Sequence, residues 1–162
     1  MTGSQAIKEV LNSTQFLVAG WLGDLSDADV RTAPVPGANN IAWQMAHLIA
    51  SETQLGADIG GKYPALPAAL DGIMAKGSDK TKADGGKLTK AEYLDLFSRV
   101  RAATVAAVEK MSDADLDKPN TGTLKQFAPT LGSLAVMIAN HTLMHGGQFV
   151  VVRRLLGKPI LF

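Results

Sequence analysis

The sequence predicts an all-α protein, a four-helix bundle with a long crossover between its second and third helices. Three observations carry this reading. Apolar residues recur with helical spacing over four long segments. No stretch of useful length alternates with the two-residue period of a strand, and the Pro- and Gly-containing breaks fall between the four segments. At 162 residues and 46% hydrophobic, the chain has the length and apolar content of a single domain, read as spanning 1–162.

The first helix is expected from about Ser4 to Leu25, with Ile7, Val10, Leu11, Val18, Trp21, Leu22 and Leu25 on one face and Thr14 in step with them. Pro34, Pro36 and Gly37 mark a turn region over Ser26–Ala38, after which Asn39 or Asn40 can cap a second helix running to about Ile59. Gly60, Gly61, Pro64 and Pro67 end that helix. A short helix fits Ala68–Ala75, and Lys76–Lys87 reads as a polar crossover. Thr89 with Glu92 forms a capping box, which starts the third helix, and its inward stripe is Tyr93, Leu96, Phe97, Val100, Thr104, Ala107 and Met111. Ser112–Pro129 is expected as loop with a short turn. The fourth helix runs from about Thr130 to Leu156 and is stopped by Gly157 and Pro159, with Leu134, Met137, Ile138, Met144, Val152, Leu155 and Leu156 facing inward. Leu25–Val30 and Met111–Leu116 echo each other as apolar-Ser-Asp-Ala-Asp-apolar, and each follows one helix and precedes a histidine-bearing one. Two related helical hairpins would explain the echo, and so would chance recurrence of Ser-Asp caps.

Charge and composition remove several function classes. Sixteen Lys plus Arg against 15 Asp plus Glu leave a net charge of +1, which offers no broad footprint for nucleic acid or an anionic membrane. Cysteine is absent, so disulfides, thiolate metal sites and a cysteine nucleophile are excluded. With no secretory-type N-terminal pattern and no apolar run of about 18 residues, a cytoplasmic location is the expectation. There is no G-x-x-x-x-G-K-[ST] phosphate loop and no G-x-S-x-G elbow.

The three histidines carry the chemistry. His141 and His145 lie four apart in the middle of the fourth helix's apolar stripe, with Gln148 as its other polar member, and His47 lies a third of the way along the second helix. Buried imidazole nitrogens cost roughly 1–3 kcal/mol each if unpaired. The i, i+4 spacing lets two rings converge on one divalent ion, and His47 would complete the set if the second and fourth helices run parallel. The competing reading is a group of hydrogen-bonded core histidines. Position 142 is Thr, where an H-E-x-x-H metalloprotease needs Glu, and no Glu-x-x-His pair exists for a di-iron centre.

On the second helix Asn40, Gln44 and Ser51 fall between His47 and an apolar arc, and Glu52 projects into that arc. Glu52 reads either as a support or general base for the site, or as a surface-reaching carboxylate paired with Lys or Arg. Gln44 and Gln148 are candidate orienting groups and Tyr93 a candidate proton donor; each is equally readable as an ordinary polar residue near a bundle core.

The segment Asn40-Ile41-Ala42-Trp43-Gln44-Met45-Ala46-His47-Leu48, followed far downstream by His141-x-x-x-His145-Gly146-Gly147-Gln148 and Arg153-Arg154-Leu155-Leu156-Gly157, resembles the DinB/YfiT-like superfamily over essentially the whole chain. The resemblance implies a metal-binding four-helix bundle, often a homodimer, with His47, His141 and His145 as ligands to zinc or nickel. It also implies relatives that act as bacillithiol or mycothiol S-transferases.

A three-imidazole ion keeps an open coordination position, as catalytic sites do. It would serve hydrolysis through bound water, or transfer of a low-molecular-weight thiol carried in as a cofactor, since the chain has no sulfur nucleophile of its own. The sequence therefore points to a metal-dependent thiol S-transferase or hydrolase acting on a small molecule. The alternatives are a non-catalytic metal or small-ligand binding bundle, possible in a stress response, and a structural bundle with a vestigial site.

Overall fold

The computed structural model describes residues 1–74 and 88–161. The expected crossover Lys76–Lys87 and the end of the short helix at Ala75 lie outside the described residues. Within them the helices are α1 (Gly3–Gly23), α2 (Ile41–Ala57), α3 (Lys90–Val108), the single-turn α4 (Asp113–Leu116) and α5 (Leu131–Leu155), with 3-10 turns at Asp29–Arg31 and Ala68–Leu70. Among the described residues there is no strand, only an isolated bridge between Pro119 and Thr130.

Side-chain caps set where the helices begin. Thr2 with Gln5, Thr89 with Glu92 and Thr130 with Ser133 form reciprocal capping boxes at α1, α3 and α5, and Asn40 accepts the Trp43 amide at 2.8 Å to start α2. The two Ser-Asp echoes adopt one geometry. The Ser26 amide donates to Asp29 Oδ2 at 2.8 Å and the Ser112 amide to Asp115 Oδ2 at 2.9 Å, and in both segments the serine hydroxyl receives the aspartate amide in return.

α1 packs on α3 and α5, and α2 packs on the same two. Cross-helix pairs fix their directions. Lys8 meets Glu109 and Gln15 meets Ser98, so α1 and α3 are antiparallel. Thr14 lies at the level of Thr142, both binding Arg101, while Trp21 meets Phe149, so α1 and α5 are parallel. Gln44 meets His145 and Ser51 meets His141, so α2 and α5 are antiparallel. The parallel arrangement on which convergence was conditioned is therefore not the one adopted, and the three histidines share one level all the same because His47 lies between Gln44 and Ser51. α2 and α3 consequently run parallel, an up-down-down-up order whose second connection must travel the length of the bundle.

The core divides into two apolar clusters. One contains Trp21, Trp43, Tyr93, Phe97 and Phe149, and the other Leu11, Leu55, Val108, Leu134 and Ile138. Between them lies a buried polar layer of Thr14, Glu52, Arg101, Thr104 and Thr142. Two members of the expected α5 stripe face outward, Met144 at 58% exposure and Leu155 at 57%. Apolar residues occupy several faces of α5, so hydrophobicity alone does not mark its inner one. Small residues do: a Cβ on Gly146 would stand 2.1 Å from the Trp21 ring, which is how α1 comes so close.

Candidate metal centre

His47, His141 and His145 converge from α2 and α5, each offering a ring nitrogen within 4.8 Å of the others. Their ring centroids are 4.8–5.3 Å apart. His145 is buried, and the other two are half-buried at the edge of a cavity of about 580 Å³. Among the described residues no other group of three potential metal ligands occurs.

Hydrogen bonds set the tautomers. Gln44 is fully buried; its Nε2 donates to the Asn39 carbonyl at 3.0 Å, which turns Oε1 toward His145 Nδ1 at 2.9 Å. His145 therefore carries its proton on Nδ1 and presents a bare Nε2. The Ser51 hydroxyl donates to the Leu48 carbonyl at 3.1 Å, so its oxygen is left to accept from His141 Nδ1 at 3.4 Å. His141 then also presents a bare Nε2, and the two Nε2 atoms stand 3.2 Å apart. Two lone pairs at that distance repel unless a cation lies between them. Burial also disfavours protonated rings: it pushes His47 down to about 4 and His145 down to about 3, with the neighbouring histidines adding to the shift, and it lowers His141.

The donor set fits a divalent metal. Nitrogens bound to one zinc at about 2.0–2.1 Å in tetrahedral geometry stand roughly 3.3 Å apart, close to the observed pair. His47 Nδ1 is buried without a hydrogen-bond partner, and the His47 ring stacks on Trp43 at 5.0 Å and 8°. The resulting site combines three neutral nitrogen ligands, two of them oriented by amide or hydroxyl partners, with a cavity beside it. Leu55, Leu124 and Met137 line that cavity together with Met74 and Met144.

The remaining candidates separate. Glu52 is buried rather than surface-reaching. Its carboxylate receives Arg101 Nε and a second guanidinium nitrogen at 2.8 Å each, and Thr104 Oγ1 at 2.7 Å. Arg101 goes on to donate to Thr142 Oγ1 at 2.9 Å, to Thr14 Oγ1 and to the Leu11 carbonyl, so the pair braces the helices beside the histidines and does not line the cavity. Tyr93 is buried in the apolar cluster with Trp43, away from the cavity wall. Gln148 is exposed and makes no bond to the histidines. Of the four groups proposed to assist catalysis, Gln44 alone touches a histidine.

The sequence model of the DinB superfamily matches residues 11–149. The chain belongs to the DinB superfamily. Two solved structures share the fold across nearly the whole length. A DinB-like protein from Bacillus cereus is 22% identical, covering 98% of this chain and 94% of its own with a TM-score of 0.67. A conserved protein from Enterococcus faecalis is 17% identical, covering 98% and 99% with a TM-score of 0.67. No curated protein matches the chain. In this DinB-superfamily chain, sequence reasoning missed Trp43, Arg101 and the cavity wall. Arg101 had a visible signal, a cation four residues after Phe97 and three before Thr104 on the inward stripe of α3.

Proposed function

We propose that this DinB-superfamily protein is a metal-dependent enzyme, holding zinc or nickel on His47, His141 and His145 and acting on a small molecule as a thiol S-transferase or hydrolase. The observation that carries the reading is the 3.2 Å approach of the His141 and His145 Nε2 atoms at the inner edge of a cavity. When bound there, the ion supplies a Lewis acid that renders a thiol or water acidic near neutral pH. The chain's own residues do the rest. Gln44 and Ser51 hold the rings of His145 and His141 in their tautomers and orientations. The thioether and leucine side chains make one side of the site apolar, which strengthens electrostatic interactions close to that wall. Any sulfur nucleophile is brought in by a small thiol.

The test is metal analysis of the purified protein, followed by assay of wild type and His145→Ala with a low-molecular-weight thiol and with an epoxide, chlorinated aromatic or ester. Stoichiometric metal and turnover that falls to background in His145→Ala are expected. Metal without turnover would favour a binding bundle, and no metal would remove both readings.

A further inference from the structure

We propose that the cavity beside the histidines binds an uncharged, apolar small molecule, so that within the proposed function it receives the acceptor substrate and not an anionic thiol. The inference rests on the proposed function only for the word substrate; the binding itself does not require the metal.

Three methionines and two leucines make up the apolar wall, and Met74 and Met144 are 43% and 58% exposed, which puts flexible thioethers at the rim. The polar groups on the wall, apart from the histidines, are the amides of Gln54 and Asn140 and the hydroxyls of Ser51 and Thr123. Among the described residues no Asp, Glu, Lys or Arg lines it. The nearby ion pair is not available to a ligand: Glu52 and Arg101 are 3% and 0% exposed and bound to each other through two hydrogen bonds. Away from an ion on the histidines, a carboxylate or phosphate against the Met and Leu wall would lose its hydration with no described side-chain cation to replace it. A neutral apolar body suffers no such loss, and about 580 Å³ falls in the range of small-ligand pockets. Methionines suit a ligand whose shape is not matched rigidly, because thioether chains repack around different outlines.

A matched pair of probes tests this. N-phenyl-1-naphthylamine is neutral, and 8-anilinonaphthalene-1-sulfonate adds a sulfonate to the same skeleton. Fluorescence titration of wild type, as purified and after metal stripping, is expected to give saturable one-to-one binding of the neutral probe, at least ~10-fold tighter than the anionic one. Met137→Lys and Leu124→Lys, which place a cation on the wall, are each expected to reverse or abolish that preference, while Lys110→Ala leaves it unchanged. His145→Ala is expected to keep the neutral-probe binding, so a failure of the enzyme reading would not disturb this result. Equal or tighter binding of the anionic probe to wild type, or a preference untouched by both lysine variants, would overturn the proposal.

Discussion

Gln44 and His145 are 101 residues apart in sequence and are joined at 2.9 Å through Oε1 and Nδ1. That contact makes a glutamine the residue that decides which nitrogen of His145 faces the other histidines. Gln44→Met, which keeps the volume and removes the acceptor, is expected to weaken zinc or nickel affinity by ~10–100-fold in competition with a chromophoric chelator. Gln44→Glu retains an acceptor and is expected to lose less.

Loss of a ligand should outweigh loss of its orienting partner. His141→Ala is expected to release metal during gel filtration under conditions in which wild type and Lys110→Ala retain it. Equal retention by all three would remove His141 from the ligand set.

Trp43 offers an optical readout, since its indole stacks on the His47 ring at 5.0 Å. Nickel titration is expected to quench tryptophan emission in wild type, and Trp43→Phe is expected to remove most of that quenching while Trp21 still emits.

The Glu52–Arg101 pair is buried at both ends. Removing one partner leaves a charge in the interior without its counterion, so Arg101→Met alone is expected to destabilise by about 3–5 kcal/mol in urea unfolding. Combining it with Glu52→Gln is expected to recover part of that loss, because the interior then holds no uncompensated charge.

Metal-free protein should lose stability on mild acidification. His47 and His145 lie at about 4 and about 3 when folded, below the ordinary 6.5, so the unfolded chain takes up protons first as pH falls. Their contribution is complete above about 6.5 and is lost progressively as pH drops toward 4. The urea midpoint is expected to fall between pH 7 and 4.5, and less steeply in a His145→Gln variant.

Much of the bundle was legible because its signals are local. The capping box at Thr89, the Asn40 cap and the breaks at Gly60 and Gly157 depend on residues within a few positions of each other. The histidine set was legible because chain-wide scarcity and i, i+4 spacing are sequence properties. Helix direction was not: neither α2 nor α5 encodes which way the other runs, and only contacts such as Ser51 with His141 decide it. Periodicity places Met144 and Leu155 on the inward face of α5, yet both are exposed, because apolar residues occupy several faces of this helix and hydrophobicity alone does not mark the buried one. Glu52 was read from its own helix, while its partner Arg101 arrives from another.

Because the histidines are divided between α2 and α5, with α3 and α4 between them in the sequence, the set can close only after α5 has been synthesised and has docked. During translation His47 emerges long before its companions, and a nascent chain has only a single imidazole to offer an ion. Metal capture would then report completed assembly rather than guide it.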